Sequence, residues 1–361
     1  MNDEVLHNIR SEIDRIDEDI IALLEERMAL VHQVGKHKQK TQSTIYRPER
    51  ENAIITRLSN LKNIYLTKEV ITAIYQEIFA ISRNLELPQK VAFLGPIGSY
   101  THQAAQEKFG SMSEYIALSN ISSVFKALNS KNVQYGVVPI ENNTNGMVGD
   151  TIDCLHNSEL KIIAESILPI HHSFACKSQN LSAIKKIYSK DIAFGQCDEF
   201  LKAYGLDDLE LVSVDSTAKA AQMASKDKHS AAICSKIAAK LNNLPIMFEN
   251  IQNDANNKTR FVVVSDFINQ PSGEDKTSVF VTLKDYKKGG ALFGLLQDFK
   301  SFGINLTKID SRPIKRKGDF GFGFFIDFKG HYLDSNIQEF FKKRGNELKW
   351  LGSYVSCFEF A

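Results

Sequence analysis

Between Val5 and Lys40 the apolar residues Leu6, Ile9, Ile13, Ile16, Ile20, Leu23, Leu24, Val31 and Val34 recur at three- and four-residue steps. That period predicts a single amphipathic helix, about 50 Å long at 1.5 Å per residue. No Pro interrupts it, and Gly35 is its only glycine. A helix of this length exceeds what one small helical domain can cover, so a partner is expected over part of it. Pro48 suits the first position of a second helix reaching about Leu61, and Thr67 can cap a third. The third helix carries its own stripe of Val70, Ile71, Ile74, Ile78, Ile81 and Leu85.

At Leu87-Pro88 the period changes. Lys90 to Leu94 reads as a short strand running into Gly95-Pro96-Ile97-Gly98-Ser99 and a helix from Thr101. Strand and helix patterns then alternate to about Phe267, with buried strands at Gly136–Ile140, Ala231–Ile233 and Phe261–Val264, as in an α/β domain. Asn269 to Lys276 reads as a linker. Beyond it, strands at 277–283, 304–311, 320–328 and 351–358 and helices at 289–302 and 335–347 give the βαββαβ order of a ferredoxin-like fold. The expected organisation is multidomain. Residues 1–88 are all-α, 89–268 are α/β and 277–361 are α+β.

Composition narrows the function classes. Of the 361 residues, 43% are hydrophobic and 24% charged, as expected of a globular chain. A net charge of +1 leaves no electrostatic footprint for nucleic acid. No stretch reaches the roughly 18 apolar residues of a membrane span, and the N-terminus lacks an apolar signal core. The five cysteines are odd in number and free of C-x-x-C spacing, which points to a reducing, cytoplasmic setting without structural zinc. His171-His172 has no third ligand at useful spacing, so no metal is expected.

Several polar groups are not explained by core packing. Arg27 and Lys38 lie eleven residues apart on one helix face, leaving a gap suited to a small dianion. Arg50 and Glu51 open the second helix, and Ser82 and Glu86 are i and i+4 on the third. Arg10 is too far from Arg27 to share its pocket on a straight helix and would reach that of a second copy. By spacing alone, surface salt bridges also account for these charges. In the α/β region, Gly98-Ser99 at a strand-to-helix junction could offer amides to an anion. Glu141-Asn142 and Ser189 with Gln196 lie on further polar segments. Asn257-Lys258-Thr259-Arg260-Phe261 crowds amide, hydroxyl and guanidinium groups at the head of a strand, where α/β folds place binding chemistry.

Taken together, these motifs resemble the bifunctional chorismate mutase–prephenate dehydratase family, in the family's order, from about residue 5 to 359. Residues 5–88 look like an all-helical chorismate mutase, with Arg10, Arg27, Lys38, Arg50, Glu51, Ser82 and Glu86 on the active-site pattern. Arg47 stands where some mutases carry Asp, and Glu86 where others carry Gln. The resemblance implies an intertwined homodimer, or a higher homo-oligomer, in which Arg10 serves the neighbouring site. Arg10 and Arg27 would clamp the carboxylates of chorismate. Lys38 would donate to its ether oxygen, and so would Glu86 when carrying a proton.

Residues 90–267 look like a two-lobed, periplasmic-binding-protein-like prephenate dehydratase. Its motifs include Gly95 to Tyr100, Val138 to Asn142 with Gly146, Ser216-Thr217-Ala218, and Asn257 to Phe261. Thr259 would be the proton donor, while Arg260 and the Gly98-Ser99 amides would hold carboxylates. Lys190-Asp191-Ile192 depart from the family's usual residues after Ser189. Residues 277–359 resemble an ACT regulatory domain. Gly290-Ala291-Leu292-Phe293 and Asp310-Ser311-Arg312-Pro313 match its L-phenylalanine-binding motifs, with Asp310 for the usual Glu. No cofactor is implied. Two rivals compete with this reading: a dehydratase whose mutase is a vestigial dimerisation arm, and a non-enzymatic aromatic amino acid sensor.

Overall fold

The computed structural model describes residues 3–41, 45–62, 64–283, 289–316 and 319–357. Three helices come first: α1 (Asp3–Thr41), α2 (Pro48–Ser59) and α3 (Lys68–Glu86). Pro48 occupies the first turn of α2, and the Thr67 side chain accepts from the Val70 amide at the start of α3. Much of each apolar stripe faces outward. Ile9, Ile13, Ile16 and Ile20 on α1, and Ile74, Ile81 and Leu85 on α3, are all exposed. Of the α3 stripe Ile71 is buried, and the rest of the buried face is Phe79, Ala80, Ser82, Arg83 and Glu86. Most of the stripe read from the sequence of α3 faces outward, because periodicity reports an apolar face without saying which molecule covers it.

The α/β region forms two lobes. The first comprises β1 (Lys90–Leu94), α4 (Tyr100–Phe109), β2 (Glu114–Leu118), α5 (Ile121–Asn129), β3 (Tyr135–Asn142), β4 (Gly146–Met147), α6 (Gly149–His156) and β5 (Lys161–Pro169). The second comprises β6 (Ser173–Cys176), β7 (Lys186–Ser189), α7 (Asp191–Gly195), α8 (Asp198–Ala203), β8 (Glu210–Ser213), α9 (Thr217–Ala224), β9 (Ser230–Cys234), α10 (Lys236–Leu241) and β10 (Ile246–Phe248). The chain then returns to the first lobe as β11 (Lys258–Ser265), which slots between β3 and β5 in the order β2-β1-β3-β11-β5. The second sheet runs β10-β6-β9-β7-β8. Two crossover segments join the lobes and hydrogen-bond to each other, Ile170 N to Asn257 O at 2.8 Å and Ile251 N to His172 O at 3.0 Å.

The last unit contains β12 (Asp275–Thr282), α11 (Ala291–Ser301), β13 (Leu306–Arg316), β14 (Asp319–Lys329), α12 (Ser335–Arg344) and β15 (Leu348–Val355). Its sheet order, β13-β14-β12-β15, leaves one side of β13 without a neighbouring strand among the described residues. The expected last strand lies a few residues earlier than its sequence pattern suggested, and Phe358 falls outside the described residues. Asn269, expected in a linker, is instead buried and donates to Ile163 O at 2.7 Å and Ser353 O at 3.0 Å. This segment is a bolted joint because its side-chain amide satisfies carbonyls from two units at once.

All three units converge on the first lobe. Tyr46, between α1 and α2, packs its ring 5.4 Å from Phe109 and 5.7 Å from Tyr135. Phe280, Phe325, Leu351 and Tyr354 share one core with Ile152, Ile162, Val262 and Val264. Gly352 lies so close to β5 that an added Cβ would sit 2.1 Å from Ile162 O. At the centre of this contact is Arg260, which is only 2% exposed. Its guanidinium donates to Glu165 at 2.7 Å, Asp327 at 2.6 Å and Tyr354 Oη at 2.7 Å. Ser278 donates its one hydroxyl proton to Asp327, so Tyr354 donates to Ser278 Oγ while accepting from Arg260. Lys276 holds the second oxygen of Glu165 at 2.9 Å.

Removing one member of such a buried group leaves the others unpaired. Arg260→Ala is expected to cost about 3–5 kcal/mol. Arg312→Ala breaks the more exposed pair with Asp153 and is expected to cost about 1 kcal/mol or less. Thermal unfolding of the two variants tests this, and equal shifts would show that the Arg260 cluster is not the dominant joint.

Candidate functional sites

The helical unit encloses a cavity of about 410 Å³ between α1, α2 and α3. Five cationic side chains line it (Arg27, Lys38, Arg47, Arg50 and Arg83) against two carboxylates, Glu51 and Glu86. Arg27 donates to Ser82 Oγ at 2.7 Å, and Lys38 Nζ lies 2.7 Å from Glu86 Oε2 and 3.3 Å from Ile45 O. Arg27, Lys38, Ser82 and Glu86, expected to act together, thus meet in one space. Gly35 explains how α3 comes so near: an added Cβ would lie 2.9 Å from Glu86 Cα. Arg47 is half exposed and paired with Glu49 at 2.9 Å. Arg10 is exposed, about 25 Å along α1 from Arg27 at the helical rise.

Arg83 was missed by the sequence reading. It is buried, pairs with Glu51, donates to Lys108 O at 3.0 Å, and lies 5.1 Å over the Tyr46 ring. The signal was available, since Phe79, Ser82, Arg83 and Glu86 fall at i, i+3, i+4 and i+7.

The second site is the interlobe cleft, about 500 Å³. Thr259 lines it from the first lobe, and Phe261, two residues on, faces the same way. A bulge against β3 between Arg260 and Phe261 adjusts how this strand end is presented. Asn142 Nδ2 donates to Thr259 Oγ1 at 2.9 Å and to Asn257 Oδ1 at 2.8 Å. No described residue accepts a proton from the Thr259 hydroxyl. Asn142 Oδ1 accepts from the backbone amides of Thr144 and Asn145, so the Asn142 side chain fixes both the turn and Thr259. Gln196 and His172, bonded at 2.9 Å, line the cleft with Tyr100, whose hydroxyl lies 3.1 Å from His172 Nδ1. Burial lowers the His172 pKa from the usual imidazole range, with the Gln196 bond offsetting part of the effect. His172 is therefore a neutral cleft residue, which a paired-histidine motif did not reveal.

Four expected cleft residues, Arg260, Glu141, Gly98 and Ser189, are placed differently. Arg260 points behind β11 into the interface, because successive strand side chains alternate faces and Thr259 takes the cleft face. Glu141 pairs with Lys308 of β13 for the same reason. The Gly98 amide donates to His102 Nδ1 at 3.2 Å, and the Ser99 amide to Pro96 O at 3.1 Å, so neither is free for an anion. Ser99 reaches the cleft as the cap of α4. Ser189 is buried and donates to Ile233 O at 2.9 Å, which secures β7 to β9.

In the last unit, Gly290 adopts φ +88° ahead of α11, and Phe293 is 70% exposed. Ala291 and Leu292 open that helix. Asp310, Ser311, Arg312 and Pro313 lie on β13. Arg312 does not point to a free site. It grips Asp153 at 2.7 and 3.0 Å, and its guanidinium occupies the space where a Cβ on Gly149 would sit.

Two family models match in tandem, chorismate mutase type II over residues 9–87 and prephenate dehydratase over residues 91–267. A bifunctional chorismate mutase/prephenate dehydratase of Aquifex aeolicus is 39% identical, over 97% of this chain and 98% of that one. This chain belongs to the bifunctional chorismate mutase/prephenate dehydratase family. The Neisseria gonorrhoeae member is 36% identical over 98% of each chain. Among solved structures, a prephenate dehydratase from Arthrobacter aurescens in complex with L-Phe matches with a TM-score of 0.67 and 31% identity, covering 74% of this chain and 90% of that one. The family assignment attaches the helical cavity to the mutase portion and the interlobe cleft to the dehydratase portion.

Gly35→Ala tests the construction of the mutase cavity. Alanine would favour the isolated helix by up to about 1 kcal/mol, but its methyl group meets the α3 backbone, which cannot rotate away. The expected outcome is displacement of Glu86 and loss of about 10² in chorismate turnover, with prephenate turnover retained. Unchanged chorismate turnover would contradict it.

Proposed function

We propose that the chain catalyses two consecutive steps, chorismate to prephenate in the helical cavity and prephenate to phenylpyruvate in the interlobe cleft. The observation that carries this reading is that one chain has two separate cavities: one rich in cations, the other built around a hydroxyl whose proton no described residue accepts.

The first step breaks an ether C–O bond and forms a C–C bond within one molecule, with no proton or electron entering or leaving. The protein has to hold the compact reactive conformer and stabilise charge growing on the ether oxygen. Arg27 clamps a carboxylate, and Lys38 and Glu86, already facing each other at 2.7 Å, open to flank the ether oxygen. Arg47, Arg50, Glu51 and Ser82 complete the walls. The uncovered stripes of α1 and α3 support a homodimer or larger homo-oligomer in which Arg10 completes the site of a second copy.

The second step expels the ring hydroxyl as water and the ring carboxylate as carbon dioxide, taking up one proton. Aromatisation drives it. Thr259 supplies the hydrogen bond to the departing oxygen, and the bond it accepts from Asn142 polarises it for that role. The C-terminal unit acts as an ACT domain that binds L-phenylalanine between paired copies. The free edge of β13 and the exposed Phe293 support that arrangement. Ligand binding there reaches the cleft through β11, which carries Thr259 on one face and Arg260 on the other. Five free thiols suit a reducing cytoplasmic setting.

The test is a crossed assay. Thr259→Val should lower prephenate turnover by about 10²–10⁴ and leave chorismate turnover intact. Lys38→Ala should lower chorismate turnover by about 10²–10³ and leave prephenate turnover intact. L-Phenylalanine should inhibit the prephenate step in the unmodified protein. If either variant damages both steps equally, or the unmodified protein turns over neither acid, the assignment fails.

A further inference from the structure

The cleft poses a problem of charge. Prephenate carries two carboxylates, and taking one out of water without a cationic partner costs several kcal/mol. Arg260 is locked behind β11, and the amides of Gly98 and Ser99 are already bonded. The neutral His172 supplies no charge. Among the described lining residues the charged side chains that remain are Lys190 and Asp215, both on the second lobe.

We infer that Lys190 is a substrate-binding residue that holds one carboxylate of the cleft's dianionic substrate, from the lobe facing Thr259. This rests on the dehydratase reading above. The backbone around Lys190 is fixed. Ser189 is anchored to Ile233, its carbonyl accepts from the Val214 amide at 2.8 Å, and the Lys190 carbonyl accepts from the Ala193 amide at 2.9 Å. The Lys190 side chain makes no ion pair with a described residue. An exposed ammonium on a flexible stem, free of a protein partner, is available to a ligand at little cost.

Topology supports the placement. β7 and β8 are parallel, with Ser189 opposite Ser213, so Lys190 and Asp215 emerge at the carboxyl ends of adjacent strands. α/β sheets bind ligands at these ends. Helix α9 starts immediately afterwards, with its cap Ser216 and first residue Thr217 also lining the cleft. Its N-terminal dipole adds favourable potential for an anion beside Lys190 and offsets Asp215 on the same wall. Thr259 and Lys190 therefore line the cleft from opposite lobes. A substrate gripped by both would draw the lobes together over the leaving hydroxyl.

Steady-state kinetics with prephenate on the full-length protein test this. A charge-assisted hydrogen bond is worth about 1.5–3 kcal/mol, so Lys190→Ala is expected to raise KM about ten- to hundredfold. The change in kcat should be much smaller, because the bond is made in the bound ground state as well as the transition state. Lys190→Arg should restore most of the loss. Added salt should raise KM more steeply for the unmodified protein than for Lys190→Ala. Chorismate turnover on the same preparation reports that the variant is folded. An unchanged KM in Lys190→Ala, with the unmodified protein active on prephenate, would overturn the inference while leaving the dehydratase reading intact. A fall in kcat at constant KM would also overturn it. No prephenate turnover by the unmodified protein would overturn the functional reading, and this inference with it.

Discussion

The structure depends on one buried guanidinium. Arg260 joins Glu165 of the first lobe to Asp327 and Tyr354 of the C-terminal unit, with Ser278 and Lys276 satisfying the remaining atoms. Desolvating so many charges is costly, and the cluster is tolerable only because every carboxylate has a cation and every hydroxyl a partner. What it provides is register. The strand that presents Thr259 to the cleft is the same strand that Arg260 fixes to the C-terminal unit, and strand alternation keeps the two duties on opposite faces. A shift of one residue would exchange them.

The two cavities differ in the groups that line them. The helical one is formed from side chains of three helices and holds a clear excess of positive charge, suited to a reaction that needs only a clamp and a charged environment. Glycine at position 35 is what lets Lys38 and Glu86 meet across helices. The cleft is close to neutral and built from backbone turns, amides and a hydroxyl, with its few charges on the opposite lobe. With the proposed donor and the proposed charge on separate lobes, the proposed chemistry would depend on lobe closure, a motion that a neighbouring unit can bias.

Much of this was legible in the sequence. Periodicity gave the three helices, the alternating region and the βαββαβ unit, because each element carries its own apolar pattern. Spacing on one face brought Arg27 to Lys38, and Ser82 to Glu86. What failed shares one cause, the direction of a side chain relative to elements distant in sequence. Arg260 and Glu141 looked like cleft groups because their neighbours Thr259 and Asn142 are. Arg312 looked like an effector contact until Asp153, 159 residues away, was seen to hold it. The α3 stripe was visible as a period, but a single chain does not reveal what covers it. Asn269 looked like linker because a lone Asn carries no period. In each case a local pattern was read correctly and its partner was invisible.

Backbone amide exchange in the full-length protein, with and without L-phenylalanine, tests the central claim most directly. If Arg260 ties the C-terminal unit to the strand that carries Thr259, ligand should change protection in β11 from Thr259 to Val262 together with β14 around Asp327. Protection changes confined to α11 and β13, while prephenate turnover is nonetheless inhibited, would contradict the account.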